Sequence, residues 1–166
     1  MRYHRVVESP LGPLTLTWDD EVGALRGLHV HDQRERGADP AFGEPDDGRC
    51  APLDDLVAEL DEYFAGRRRE FDTPVAPPGT PFARAVAEAL RAVPYGSTTT
   101  YGALAAAIGR PKAAQAVGTA NARNPISLLV PCHRVLTAGG LPSGGVPGIA
   151  RKQWLQALER AGTAGP

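Results

Sequence analysis

The sequence has few cysteines, few aromatic residues and no long apolar run. Only 2 of its 166 residues are cysteines and 6% are aromatic, which excludes a disulfide framework and a four-cysteine zinc site. The apolar residues 126–130 are interrupted by Ser127, and the run is far shorter than the roughly 18 residues of a membrane span. The first residues lack the apolar core of a signal peptide. We therefore expect a cytoplasmic protein without a membrane segment.

The sequence does contain enough apolar residues for a folded core, and its charge is unevenly distributed. The apolar fraction is 42% and the charged fraction 22%, which is typical of folded rather than disordered chains. The net charge of −1 conceals two opposite halves, because residues 1–80 carry 9 basic and 17 acidic side chains and residues 81–166 carry 9 and 2. The basic half suits a polyanion such as DNA, although two unevenly charged solvated surfaces would give the same counts.

The first half alternates strand signals with turns and ends in one helix. Strands are predicted at residues 2–8, 14–18 and 24–31, which form an antiparallel meander. Proline and glycine in residues 9–13 predict the first turn, and residues 32–49 predict a loop. Apolar residues at helical spacing over 53–65 predict an amphipathic helix. The prolines of residues 72–80 predict an interdomain linker.

The second half is rich in alanine and predicts helices. They are expected at residues 81–93, 101–108, 112–121 and 151–161. A loop rich in glycine and proline, residues 137–148, precedes the last helix. The second and third helices are joined by a turn that contains glycine, which is the outline of a helix-turn-helix. Small residues in the third helix permit close approach of its backbone to a ligand.

Cys132 is the residue most suggestive of chemistry. It follows the apolar, strand-like residues 126–130 and immediately precedes His133, so we expect a buried thiol with a base nearby. The thiolate is the nucleophilic form of cysteine. Consecutive strand side chains point to opposite faces, so this pair needs a turn or a bridging water to cooperate. On the residues alone, a structural buried cysteine stays the alternative.

The segment around Cys132 resembles the active-site segment of the O6-alkylguanine-DNA alkyltransferases, DNA-repair proteins that move an alkyl group from guanine to a cysteine. The matching residues are Asn124-Pro125-Ile126-Ser127-Leu128-Leu129-Val130-Pro131-Cys132-His133-Arg134-Val135. Short matches at residues 9–14, 60–64, 79–82, 93–96, 100–102 and 152–155 extend the resemblance over nearly the whole chain. It implies an α+β fold, with a ribonuclease H-like α/β domain with antiparallel strands in residues 1–76 and a helical domain with a helix-turn-helix in residues 77–166.

The same resemblance implies the role of each catalytic residue. Cys132 accepts the alkyl group, His133 deprotonates it through a water, and Glu159 orients the histidine. Asn124 braces the active-site segment. Tyr101 turns the phosphate of the target nucleotide and donates a hydrogen bond to the departing guanine.

The resemblance also implies contacts with DNA and with the substrate base. DNA contacts are expected from Thr100, Ala113, Ala114, Gln115, Gly118, Thr119, Arg123 and Arg134. The substrate pocket is expected from Val135, Gly145, Val146 and Pro147, with main-chain groups of Cys132 and Val135 facing the edge of the base. The small residues let the third helix of this half lie in the minor groove.

Three residues depart from the family pattern, and one of them, Ala87 in the place of a tryptophan, is a packing change without a chemical consequence. Gln115 stands where the family usually has an arginine that takes the place of the flipped base, so we expect weaker stabilisation of the extrahelical nucleotide. Gly145 stands where a tyrosine is expected in the pocket wall, so the pocket is expected to be wider or shaped for another adduct.

The implied function is irreversible, stoichiometric transfer of an alkyl group from O6-alkylguanine in duplex DNA to Cys132 after base flipping. We expect a monomer without cofactor or metal, since Cys50, His29 and His31 are too loosely spaced to predict a zinc site. Two alternatives stay open: an alkyltransferase-like protein that recognises lesions without repairing them, and a specialised alkyltransferase for bulkier adducts. A transcription factor would not need the Pro-Cys-His-Arg segment.

Overall fold

The chain is built from two compact units, a strand-rich one and a helical one. A computed structural model describes residues 1–30, 42–137, 139–140 and 146–164. The first unit comprises residues 1–78 and 125–127, and the second comprises the rest. The predicted α+β class is confirmed. No helix in the described part of the chain combines the length and the apolar character needed to cross a membrane.

The first unit contains a four-stranded sheet in the order β3-β2-β1-β4. The strands are β1 (Arg2–Val7), β2 (Leu14–Asp19), β3 (Ala24–Val30) and β4 (Glu44–Pro45). Strands β1 to β3 form the predicted antiparallel meander, and β4 pairs parallel to β1. The predicted loop over residues 32–49 is therefore wrong at β4, where pairing with β1 at the edge of the sheet overrides a polar sequence. The third strand ends at Val30, and His31 lies outside the described residues.

Helix α1 (Ala51–Phe64) packs on β2 and contributes Leu53, Leu56 and Tyr63 to the core of this unit. It begins two residues earlier than predicted because Pro52 is compatible with a first helical turn. The fully buried apolar side chains among the described residues of this unit are Leu14, Leu16, Leu25, Leu28, Leu53, Leu56, Tyr63 and Ile126. Burial of these apolar groups is the main favourable contribution to folding of the unit.

The predicted linker is in part a fixed element of the first unit. The N–H of Leu25 donates to the Pro74 carbonyl, and the N–H of Ala76 donates to the Leu25 carbonyl, both at 2.9 Å. The buried Glu59 carboxylate accepts the main-chain N–H of Thr73 at 3.1 Å. Proline is tolerated at the edge of a sheet, and the main-chain N–H groups of the other residues in the segment still form hydrogen bonds. These bonds fix residues 72–76 to the first unit.

The second unit is a helical assembly with one short parallel strand pair. Its helices are α2 (Pro81–Arg91), α3 (Tyr101–Ala107), α4 (Ala114–Ala122) and α5 (Val146–Ala164), and its strands are β5 (Thr99–Thr100) and β6 (Val135–Leu136). Helices α2, α3 and α4 pack against one another. Gly109, at a φ of +75°, ends α3 in a left-handed conformation before the turn to α4. Helices α3 and α4 thus have the connection that a helix-turn-helix needs, and their placement on DNA stays a prediction.

In this unit two helices begin at a different residue from the one predicted. Helix α4 begins at Ala114 rather than at residue 112, with Ala113 outside it as a cap whose φ is −98° and ψ 22°. Helix α5 begins at Val146, so the predicted loop over residues 137–148 is wrong at its last three positions. A proline in the first turn of a helix loses no intrahelical hydrogen bond, which is why Pro147 does not prevent this start.

Candidate active site

Cys132 is presented by two consecutive tight turns. Pro131 has a φ of −80° and a ψ of 70°, close to an inverse γ-turn, and the N–H of Cys132 donates to the Val130 carbonyl at 2.8 Å. A single 3₁₀ turn, Cys132–Arg134, follows. The thiol is half-buried, so the expectation of a buried thiol after a strand is wrong. Residues 127–130 form turns, and only Ile126 makes a strand-like bridge, to Leu28.

The approach to this turn is strained and braced. Leu128 has a φ of +72° although it is not glycine, which costs about 1–2 kcal/mol for such a residue. Its side chain is buried, and this burial offsets the cost. The Asn124 side-chain amide donates to the Val130 carbonyl at 2.8 Å, the same oxygen that accepts from Cys132. Asn124 is thus positioned as the predicted brace.

His133 and Glu159 form a buried pair behind Cys132. Nε2 of His133 lies 2.7 Å from Oε2 of Glu159, and the two residues are 2% and 1% exposed. A carboxylate accepts hydrogen bonds, so the Nε2 side carries the proton and Nδ1 is the acceptor. Nδ1 is buried and has no hydrogen-bond partner among the described residues. Burial lowers the pKa of His133, and the bond to Glu159 opposes that shift only in part, which keeps the imidazole neutral.

Arg134 is turned inward, which corrects its prediction as a DNA contact. Its guanidinium grips Glu159 with two bonds, Nε to Oε1 at 2.9 Å and Nη2 to Oε2 at 3.0 Å. Nη1 donates to the Val93 carbonyl at 2.8 Å, and the guanidinium lies 5.7 Å from the centre of the Tyr95 ring. A buried carboxylate needs such a partner to stay ionised. Arg134 therefore stabilises the negative charge of Glu159, the hydrogen-bond partner of His133.

Two further polar side chains hold the main chain of the Cys-His pair. Gln156, on α5, donates from Nε2 to the His133 carbonyl at 2.8 Å. Asn121, on α4, donates from Nδ2 to the Cys132 carbonyl at 3.4 Å. The sequence analysis missed both. A signal was present for Asn121, because it lies four residues after the buried Val117 and so falls on the apolar face of its helix.

The predicted DNA-contacting residues are divided between an exposed helix face and helix caps. Gln115, Thr119 and Arg123 are exposed on or just after α4, and Ala113, Ala114 and Gly118 are half-buried. The Thr100 hydroxyl accepts the Ala103 N–H at 3.1 Å and caps α3. Tyr101 follows as the first residue of α3, and a Cβ added to Gly118 would lie 3.8 Å from its ring. Contact with Tyr101 therefore does not itself require glycine at 118.

The predicted substrate pocket is only partly within the described structure. Val135 is completely buried and pairs with Thr99 in the parallel strands. Val146 and Pro147 lie in the first turn of α5, not in a loop, and their side chains are outside the described part of the chain. Gly145 is also outside the described residues.

Cys50 belongs to the first unit and occupies a structural setting. It is buried as the residue before α1, and burial raises the pKa of its thiol. His29, with which it was considered as a metal ligand, stacks on Phe42 at 5.7 Å between ring centres. Among the described residues there is no group of three or more His, Cys, Asp or Glu side chains suited to a metal ion.

Comparison with known proteins identifies two family matches that together span nearly the whole chain. Residues 2–77 match the ribonuclease-like domain of 6-O-methylguanine DNA methyltransferase, and residues 81–161 match its DNA binding domain. The methylated-DNA–protein-cysteine methyltransferase of Methanosarcina acetivorans is 40% identical over 164 residues, which is 95% of this chain and 97% of that protein. The corresponding protein of Mycolicibacterium paratuberculosis is 43% identical over 157 residues, covering 95% and 92%.

Solved structures agree. The crystal structure of the O6-methylguanine methyltransferase of Mycobacterium tuberculosis has a TM-score of 0.86 at 41% identity, covering 97% of this chain and 94% of that one. The crystal structure of Mycobacterium tuberculosis OGT in complex with DNA has a TM-score of 0.83 at 41% identity, covering 96% and 94%. The chain therefore belongs to the methylated-DNA–protein-cysteine methyltransferase family.

Proposed function

We propose that Cys132 is the alkyl acceptor in a DNA-repair reaction that takes the alkyl group from O6-alkylguanine. The observation that carries this proposal is the half-buried thiol beside a buried, neutral histidine whose Nδ1 is unpartnered. A nucleophilic cysteine needs a base of this kind, itself oriented by a third group. Glu159 is that third group, at 2.7 Å from His133.

The protonation states favour removal of the thiol proton. His133 is neutral because burial lowers its pKa, so Nδ1 is free to accept a proton. No direct hydrogen bond joins Nδ1 to the thiol, and a water relays the proton between them. The Glu159 carboxylate stabilises the imidazolium that results, and Arg134 holds the carboxylate in its ionised form.

The transfer is a single displacement. The Cys132 thiolate forms a bond to the alkyl carbon while the bond between that carbon and guanine O6 breaks. The electron pair of the broken bond passes to the guanine, which takes up a proton at N1. The thiol loses one proton and the guanine gains one, so the number of protons is unchanged. Because the thioether is not hydrolysed in water, each protein molecule repairs one lesion. No bound cofactor enters this balance.

DNA reaches the site through the exposed face of α4. Guanine O6 is shielded inside a duplex, so the nucleotide must leave the stack, at a cost of a few kcal/mol. The second half of the chain carries 9 basic and 2 acidic residues, and Arg134 and Glu159 are buried as a pair. The other basic side chains of this half contact DNA phosphates, and these contacts offset the cost of flipping the nucleotide. All site residues come from one chain, so a monomer suffices.

The lesion-recognition alternative is not favoured. A protein that only recognises lesions does not need an acceptor thiol with an oriented base, and both are present here. Both relatives reported above are named methyltransferases. A preference for bulkier adducts rested on Gly145 and has no support from the described residues.

Stoichiometry tests the proposal, with the second cysteine as a matched control. A duplex containing O6-methylguanine is titrated with wild-type protein, Cys50→Ala and Cys132→Ser. We expect wild type and Cys50→Ala to remove one lesion per molecule and then stop. Cys132→Ser should remove none and still bind the DNA within severalfold of wild type. Repair by Cys132→Ser, or repeated turnover by wild type, would contradict the proposal.

A further inference from the structure

Gln156 attaches helix α5 to the main chain of His133. Its side-chain amide donates from Nε2 to the His133 carbonyl at 2.8 Å, and the residue is half-buried. His133 lies in the single 3₁₀ turn Cys132–Arg134, and no further turn of helix follows to supply main-chain donors to its carbonyls. A side chain from another element makes this hydrogen bond instead.

The same helix also holds the imidazole ring of His133. Glu159 lies three residues after Gln156, so the two side chains project from neighbouring turns of one face of α5. Oε2 of Glu159 lies 2.7 Å from Nε2 of His133. Helix α5 therefore fixes the histidine at two points, the main-chain carbonyl and the outer ring nitrogen.

These two attachments together select which ring nitrogen faces Glu159. Nε2 lies at the far end of the imidazole ring, whereas Nδ1 is bonded to Cγ and lies close to the main chain. For Nδ1 to bind Glu159 instead, the main chain of His133 would have to move, which the bond to Gln156 opposes. Nδ1 is thus kept next to the main chain that His133 shares with Cys132.

We infer that Gln156 is a positioning residue for alkyl transfer, because it fixes the main chain of His133 so that Nε2 binds Glu159 and Nδ1 serves Cys132 as the base. This inference rests on the proposed function. The proton of a neutral imidazole resides on the nitrogen that donates to a partner. A catalytic histidine in the wrong tautomer loses most of its activity.

The protonation of the His133 ring tests the inference without any DNA. Nitrogen-15 NMR of protein labelled in its four histidines distinguishes protonated from unprotonated ring nitrogens, and His133→Gln identifies the signals of His133. At neutral pH we expect wild-type protein to carry the proton on Nε2 alone. Gln156→Met keeps the size of the side chain without the donor and should show both tautomers. Gln156→Glu keeps the shape but has a carboxylate that only accepts, and it should show the same mixture.

Single-turnover rates on a duplex that contains O6-methylguanine give a second readout. We expect both Gln156 variants to react about tenfold more slowly and to bind the duplex with wild-type affinity, because Gln156 acts on the base and not on DNA. Gln153→Met makes the same substitution at an exposed position one turn earlier on α5. It should retain the wild-type histidine signals and rate.

A proton on Nε2 alone in either Gln156 variant, or a wild-type rate in either, would overturn the inference. Equal changes in Gln153→Met would also overturn it, because they would assign the effect to the helix in general. The histidine signals come from folded molecules, so a smaller folded fraction does not imitate the expected result. Absence of methyl transfer by wild-type protein would instead contradict the proposed function.

Discussion

Gln115 is exposed on α4, and its main-chain carbonyl accepts the Thr119 hydroxyl at 3.2 Å. It stands where the resemblance leads us to expect an arginine. A glutamine is shorter and uncharged, so it stabilises the gap left by a flipped base less well than a guanidinium does.

We predict that Gln115→Arg speeds repair of duplex DNA about tenfold and leaves the reaction with the free alkylated base unchanged, because only the duplex reaction needs a flipped nucleotide. Rates on both substrates provide the measurement. Glu88→Gln, at an exposed position on α2, adds the same positive charge elsewhere in the second unit and serves as the control. Equal acceleration on both substrates, or by both variants, would contradict this role.

The sequence predicted which residues carry the chemistry of the active site, but not the direction in which each side chain points. Cys132, His133 and Glu159 were assigned from the resemblance, and the structure brings His133 and Glu159 within 2.7 Å. The resemblance also assigned Arg134 to DNA. Its actual partner, Glu159, is 25 residues away in the chain. Only the tertiary structure reveals that the two residues form a pair.

Helix α4, for which the resemblance predicts contact with DNA, carries a glycine at position 118, which is half-buried. A Cβ at this position would make ordinary van der Waals contact with the Tyr101 ring at 3.8 Å, so an alanine fits without a clash. Glycine is also a poor helix former. Packing within the unit therefore does not require a glycine here, and close approach of DNA stays the predicted reason for it.

We predict that Gly118→Ala stabilises the protein by about 0.5–1 kcal/mol and weakens binding to duplex DNA severalfold, because the added methyl group separates the helix from the groove. Urea denaturation and DNA titration measure the two effects on one preparation. If the variant is more stable and binds DNA with unchanged affinity, α4 does not lie in the interface with DNA.

Helix positions were largely predictable from periodicity, but the elements around the site were not. The apolar residues 126–130 indicated a strand, yet they form turns because Leu128 is left-handed and Pro131 lies in a γ-turn. Such turns depend on the burial of neighbouring side chains, which local sequence does not encode. The early start of α5 was likewise missed because glycine and proline near residue 146 resemble a loop.

The buried, neutral His133 links the stability of the whole molecule to pH. Its native pKa is lowered by burial, whereas the unfolded chain has a histidine pKa near 6.5. Between the two values the unfolded state binds more protons, so stability is complete above about pH 6.5 and is lost as pH falls towards the native pKa.

We therefore predict that the free energy of unfolding falls between pH 7.5 and pH 5.5, by up to about 1.4 kcal/mol per pH unit below 6.5. Urea denaturation at both pH values measures the change, and His133→Gln should largely remove it. Carboxylates whose pKa values are lowered by ion pairs, such as Asp46 beside Arg5, titrate near pH 4 or below and do not contribute in this window. An equal fall in His133→Gln would contradict the assignment.

The division into an acidic strand-rich half and a basic helical half was visible in the charge counts, and the α+β class followed from the resemblance. What periodicity and charge did not indicate is that residues 125–127 pack with the first unit. The N–H of Leu28 donates to the Pro125 carbonyl at 2.9 Å, and the N–H of Ser127 donates to the Leu28 carbonyl at 3.1 Å. Pairing between segments this far apart in the chain is decided by the folded state as a whole.

Peptide mass mapping after reaction with DNA tests the central claim most directly. Wild-type protein is incubated with a duplex that contains O6-methylguanine, digested, and the cysteine-containing peptides are weighed. We predict a single methyl increment on the peptide with Cys132 and none on the peptide with Cys50. A methyl group on Cys50, or unmodified Cys132 after loss of the lesion, would contradict the account.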